Sequence, residues 1–176
     1  GSSAGMRIES LSIVPMLAMG NAMSTFTAQN MGAGKIDRVK EGYRMCYVIV
    51  LTAGAVLCVM YQLAGGAFVS LFLDSGSSEA YSVGLSYVKF LSFFYSFIGL
   101  KASTDGLLRG AGDVTAFTVA NLVNLAIRVS VTNLFAPVYG IQVAWMAVPL
   151  GWAANYVISF GWYLTGKWKK VRVIKK

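Results

Sequence analysis

The stretch AQNMGAGKIDRVKEG, residues 28–42, is where a long apolar run ends in an amide pair, two glycines and a burst of charge. Gly32 and Gly34 can adopt the left-handed backbone conformation that closes a helix. Lys35 and Arg38 follow the negative end of that helix, where they can also meet an anionic lipid surface. This pattern is typical of a membrane-spanning helix that stops at a positively charged interface.

The composition of the whole chain agrees with that interpretation. Of its 176 residues, 56% are hydrophobic and only 12% are charged, and the mean hydropathy is +0.62. Soluble domains carry about 25% charged residues. The apolar runs are long enough to cross a bilayer as helices, and none alternates as the strands of a membrane barrel do. The sequence therefore predicts an all-α integral membrane protein, with residues 1–176 forming a single transmembrane region.

The apolar runs predict five transmembrane helices and a basic tail. The helices are expected at about residues 6–31, 45–73, 80–108, 114–135 and 141–165, and the tail at 166–176.

The connections between these spans alternate in charge. The basic residues between spans are Lys35, Arg38, Lys40, Arg44 and Arg109. They follow the first and third spans, whereas the connections after the second and fourth spans are acidic or neutral, and residues 167–176 add six more basic residues. By the positive-inside rule, the basic side and the C-terminus are cytoplasmic, and the protein is expected to be a multi-pass protein of the cell (inner or plasma) membrane.

The same alternation argues against nucleic acid as a partner. The net charge is +8, but the basic residues follow the topology, so the tail is expected to contact anionic lipid of the bilayer. The chain has no histidine, no deep carboxylate pair and no nucleophile beside a base, so we do not expect an enzyme. Cys46 and Cys58 lie twelve residues apart in one apolar run, which is not a metal-ligand spacing, and no metal site is expected.

Two sequence elements resemble those of a known transporter family. The first, at residues 29–35, is carried by Gln29, Asn30, Gly32, Gly34 and Lys35. The second, within GLLRGAGDVTAF at residues 106–117, is carried by Leu108, Arg109, Gly110, Gly112 and Asp113. Together with a weaker likeness in LFLDS at residues 71–75, they resemble the Q-N-x-G-A-G-K and L-R-G-x-G-D patterns in the C-terminal half of multidrug and toxic compound extrusion (MATE) transporters.

The resemblance implies a fold and a function. MATE transporters have twelve helices in two six-helix lobes, and this chain is similar to helices eight to twelve, which are most of one lobe. The implied activity is secondary active efflux of small organic, typically cationic, compounds in antiport with Na⁺ or H⁺. It would proceed by alternating access, with the missing N-terminal lobe as partner and no cofactor. Two alternatives are a flippase for lipid-linked precursors from the same superfamily, and a non-transporting membrane fragment or subunit.

One position bears on the branch of the family. The NorM-like branch has a cation-binding aspartate about ten residues before the leucine of L-R-G, where this chain has Ile98. The chain therefore looks more like the DinF-like branch, and the coupling-ion site is expected in the missing N-terminal lobe.

Polar residues within the spans are candidates for cavity or lobe-interface positions, because ionisable groups are costly in a membrane. Lys101 and Asp105 are one helical turn apart, which fits either a structural ion pair or the lining of a cavity. Asn121, Asn124 and Arg128 share one helical face, which fits either a cavity wall or hydrogen bonding between helices.

The first span contains further candidates. Asn21 is another polar position, and Pro15 predicts a helix kink. We also hypothesise that Gln29 and Asn30 form hydrogen bonds with the L-R-G-x-G-D loop across the cytoplasmic face.

Overall fold

The computed structural model describes residues 2–72 and 78–170. Its helices are α1 (Ser2–Gly32), α2 (Ile36–Phe72), α3 (Ser78–Ser92), α4 (Tyr95–Gly110), α5 (Val114–Tyr139) and α6 (Ile141–Leu164), followed by a short 3₁₀ turn, Lys167–Lys170. Every regular element in these residues is helical, which confirms the all-α prediction. The end of the LFLDS stretch and residues 171–176 of the basic tail lie outside the described residues.

Four helices are long and apolar enough to cross a membrane, namely α1, α2, α5 and α6. The pair formed by α3 and α4 makes a fifth candidate span, bent by 51°. The predicted single helix over 80–108 is therefore wrong. At the break, the Lys89 carbonyl accepts hydrogen bonds from Ser92 Oγ at 2.7 Å and from Gln62 Nε2 at 3.0 Å. Side chains that compete for helix carbonyls in this way interrupt the backbone ladder.

The turn between α1 and α2 is shorter than predicted, because α2 begins at Ile36 and not near residue 45. Gly34 has φ +70°, the Lys35 amide donates to Asn30 O at 2.8 Å, and the Gly34 amide donates to Met31 O at 3.0 Å. This is the hydrogen-bond pattern of a glycine-terminated helix. Arg38, Lys40 and Arg44 consequently lie on the first turns of α2 and not in a loop.

The ends of the last two helices differ slightly from the predicted ends at residues 135 and 165. The fourth span extends to Tyr139, and α6 ends at Leu164. Pro15 lies inside α1, which continues across it from Ser2 to Gly32, so the kink stays a prediction.

Helices α1 and α4 touch through their backbones. A Cβ atom at Gly106 would overlap the carbonyl oxygen of Gly20, and one at Gly110 would overlap the carbonyl oxygen of Ser24. Small residues allow this close approach between membrane helices. The contact fixes α4 against α1 and leaves another face of α4, which carries Lys101 and Asp105, toward α5 and α6.

The α1–α4 contact gives a direct stability prediction. Gly106→Ala should destabilise the purified protein by about 1–3 kcal/mol, the usual cost of overpacking a tight interior, and lower its thermal unfolding midpoint. Gly32→Ala is the matched control, because a Cβ there would meet nothing within 4 Å. Equal midpoints for the two variants would contradict the close contact.

Candidate functional site

The centre of the candidate site is a buried ion pair on α4. Lys101 Nζ lies 2.9 Å from Asp105 Oδ2, and the two side chains are only 15% and 7% exposed. The spacing of four residues brings them together on one face, as the sequence predicts. Because burying charges costs several kcal/mol per ion, such a pair is stable only where further hydrogen bonds satisfy both partners.

Two neighbouring helices supply those hydrogen bonds. Asn121 of α5 accepts from Lys101 Nζ at 3.2 Å and donates to Asp105 Oδ2 at 3.4 Å. Ser159 of α6 donates to Asp105 Oδ1 at 2.7 Å. The carboxylate therefore joins α4, α5 and α6 at one point. Ser159 is not among the residues that the sequence predicts for the site.

The predicted polar face of α5 lies against α6. A Cβ atom at Gly151 would overlap Asn124 Oδ1 and the aliphatic stem of Arg128, so this glycine makes room for both side chains. Asn155 follows Gly151 by one helical turn and is fully buried. Among the described residues, neither Asn124 Oδ1 nor Asn155 Nδ2 has a hydrogen-bond partner. The four-residue spacing of Gly151, Asn155 and Ser159 is the sequence signal that identifies the facing stripe of α6.

A cavity of about 230 Å³ opens beside the ion pair, and we call it the α1–α4 cavity. Its polar lining residues are Asn21, Lys101, Asp105, Arg109 and Asn121. Arg109 Nη2 donates to Asn21 Oδ1 at 2.7 Å, and its guanidinium lies 5.7 Å from the ring centre of Phe117. Several sequence-predicted candidates thus converge on one space.

Arg128 lines a different cavity, of about 480 Å³, which we call the Glu9 cavity. Its lining includes Glu9, Tyr87, Thr132 and Trp145 as well as Arg128. The Tyr87 hydroxyl donates to Glu9 Oε2 at 2.5 Å. Glu9 is not among the predicted candidates, although an acidic residue inside an apolar run is a signal that the sequence carries.

The residues of the L-R-G-x-G-D element organise the turn between α4 and α5. Gly112 has φ +84°, which favours glycine. Asp113 is the N-cap of α5: its Oδ1 accepts from the Ala116 amide at 3.3 Å, and its Oδ2 accepts from Trp162 Nε1 at 2.6 Å. One carboxylate thus ends the turn and attaches it to α6.

The hypothesised contact of the amide pair with this turn is wrong. Asn30 Nδ2 donates to Phe26 O within α1 at 2.8 Å, and Gln29 is exposed. Within the part of the chain that the structure describes, no side-chain hydrogen bond joins either residue to the turn. Arg109 makes the connection to α1 instead, through Asn21 and, at 3.4 Å, Ser24.

The MatE family model matches residues 1–148 of the chain. The chain belongs to the MATE family. Members of this family are multi-pass membrane transporters and not enzymes, so the family resemblance noted from the two motifs is confirmed. Assignment to the DinF-like branch stays a prediction.

Similar proteins and a similar structure agree with this membership. The chain is 28% identical to the probable multidrug resistance protein YpnP of Bacillus subtilis over 98% of this chain and 39% of YpnP. It is 21% identical to the probable multidrug resistance protein NorM of Thermotoga maritima over all of this chain and 38% of that protein. A MATE transporter in an inward-facing conformation has the same fold, with TM-score 0.79 and 18% identity, over 90% of this chain and 36% of its own. This MATE chain therefore spans about two fifths of the relatives that it matches.

The ion pair of this MATE chain gives a second prediction. Asp105→Leu should destabilise the protein by about 3–5 kcal/mol, because it leaves a buried lysine without its counter-charge. Adding Lys101→Met should recover most of that loss in thermal unfolding of the purified protein.

The matched control is the exposed pair Lys40–Asp37, whose side chains are 39% and 98% exposed at 3.3 Å. Asp37→Leu, with or without Lys40→Met, should change stability by less than about 1 kcal/mol. If Asp105→Leu were as mild as Asp37→Leu, or if adding Lys101→Met gave no recovery, the two buried charges would not depend on each other for stability.

Proposed function

We propose that this chain forms most of the C-terminal lobe of a multidrug efflux transporter that expels small organic compounds by alternating access. The named relatives are probable multidrug resistance proteins, and the chain covers about two fifths of each. The remaining length is the expected place of the N-terminal lobe, which would be the partner of this one.

The observation that carries the proposal is the ion pair of Lys101 and Asp105 at the wall of the α1–α4 cavity. Buried charge is costly in a membrane protein and commonly marks a substrate or ion pathway. Here both charges are held by hydrogen bonds from separate helices. A rearrangement of α5 or α6 would break those bonds, so the pair can link helix movement to the state of the cavity.

Small organic cations are the expected substrates. The Glu9 cavity provides a carboxylate beside the rings of Tyr87 and Trp145, and aromatic faces with a nearby anion suit organic cations. The volume of about 480 Å³ is within the range of small-molecule sites. We expect antiport with Na⁺ or H⁺, and Ile98 supports a coupling-ion site in the N-terminal lobe.

The test is transport by the complete protein in proteoliposomes. Ethidium, a planar organic cation, should accumulate when a Na⁺ or pH gradient is imposed and should not accumulate without one. Movement of a lipid-linked precursor without movement of ethidium would favour the flippase alternative. Movement of neither would favour a non-transporting subunit.

The proposed orientation is tested by labelling in intact cells. We expect the basic ends of the helices, near Lys35, to be cytoplasmic in the cell membrane, and Tyr139 to be at the opposite side. In a variant with Cys46 and Cys58 replaced by serine, a membrane-impermeant maleimide should label Tyr139→Cys directly. Lys35→Cys should react only after permeabilisation, and the reverse pattern would overturn the orientation.

A further inference from the structure

The Glu9 cavity holds one acidic and one basic side chain from different helices. Glu9 belongs to α1 and Arg128 to α5, and both line the same space of about 480 Å³. No salt bridge joins them, since the ion pairs among the described residues are Lys40–Asp37 and Lys101–Asp105. The two opposite charges therefore face one cavity without neutralising each other by contact.

The carboxylate is held in a fixed position. Its Oε2 accepts the Tyr87 hydroxyl at 2.5 Å, and the Tyr87 ring packs edge-on against Trp145, with ring centres 5.2 Å apart. Tyr87 and Ile8, the residue before Glu9, are both buried. Three helices, α1, α3 and α6, thus build the acidic side of the cavity.

The Arg128 side chain is positioned by its packing against α6. The aliphatic stem of Arg128 crosses Gly151, where a Cβ atom would lie 2.8 Å from Cγ and 3.2 Å from Cδ. Arg128 makes no hydrogen bond or ion pair with the described residues, and its side chain is exposed. An arginine about fourteen residues into a membrane helix costs at least about 2.5–3.5 kcal/mol on insertion scales. A ligand that carries an anion would offset that cost.

We propose that the Glu9 cavity binds a zwitterionic amphiphile. Arg128 binds its phosphate or carboxylate through charge-assisted hydrogen bonds, Glu9 binds its ammonium group, and the rings of Tyr87 and Trp145 contact the ammonium methyl groups or the apolar part. The inference rests on the proposed function because it takes this cavity as a substrate site. Among the small organic compounds expected there, it names molecules that carry both charges as the preferred ligands.

The same ligand chemistry has two sources. A phospholipid with a zwitterionic headgroup can enter from the bilayer, and a free zwitterionic amphiphile can enter from water. Both present an anionic group to Arg128 and a cationic group to Glu9.

The test compares three probes that share one apolar chain: hexylphosphocholine, hexyltrimethylammonium and hexyl phosphate. Their binding to the complete transporter in phosphatidylglycerol nanodiscs is measured by calorimetry. The zwitterion should bind at least about tenfold more tightly than either singly charged probe, because only it satisfies both side chains. Binding of all three within twofold of one another would overturn the proposal, and this comparison needs no variant.

Two variants test which side chain binds which charged group of the probe. Arg128→Gln should weaken hexylphosphocholine and hexyl phosphate by about tenfold and leave hexyltrimethylammonium unchanged. Glu9→Gln should weaken hexylphosphocholine and hexyltrimethylammonium and spare hexyl phosphate. Arg44→Gln and Glu41→Gln are matched controls, because both positions are exposed on the first turns of α2. If Arg128→Gln and Glu9→Gln bound the three probes as tightly as the control variants do, the roles given to Arg128 and Glu9 would be overturned.

Lipid composition separates the two sources. If a phospholipid headgroup occupies the cavity, adding phosphatidylethanolamine to the nanodiscs should weaken the binding of hexylphosphocholine by competition. An unchanged affinity would identify a free amphiphile as the ligand, with the same two contacts. The ethidium assay distinguishes the failures: ethidium transport without preference for the zwitterion overturns only the inference, whereas absence of any transport overturns the proposed function.

Discussion

The buried ion pair of Lys101 and Asp105 is the interaction on which the arrangement of this lobe depends. A lysine and an aspartate are tolerated inside an apolar bundle only when they neutralise each other and when hydrogen bonds satisfy their remaining polar atoms. Asn121 from α5 and Ser159 from α6 supply these bonds. These polar contacts therefore specify the positions of α5 and α6 relative to α4. Apolar packing in lipid does not specify helix positions by itself.

The glycine contact between α1 and α4 also fixes the position of α4, on the side of α1. Because the backbones touch at Gly20 and Gly106, α4 is fixed on the side away from α5 and α6, and the ion pair lies at the wall of the α1–α4 cavity. At the end of α4, Gly110 and Asp113 repeat the combination of close packing and polar connection. Most residues of the L-R-G-x-G-D element thus have a structural explanation at this turn. No contact in the described residues explains Gln29 of the other element.

The sequence predicts the parts of this structure that depend on local rules. The apolar composition predicts the all-α class, Gly34 predicts the end of α1, and the spacing of Lys101 and Asp105 predicts their pairing. Partners from other helices are not predictable in this way, because they depend on how each helix is rotated in the bundle. The sequence marks Ser159 by its spacing and Glu9 by its charge, but it does not show that they contact Asp105 and Tyr87. The break near Ser92 also escapes local rules, since Gln62 from α2 takes part in it.

The central proposal is that this MATE chain is most of one lobe of a longer two-lobe transporter, and the mass of the native protein tests it most directly. An antibody against residues 167–176, KWKKVRVIKK, should be used to probe an immunoblot of source membranes. The account predicts a band above twice the 18.9 kDa of this chain. A band at 18.9 kDa would contradict the claim, because the lobe would then exist as a separate protein.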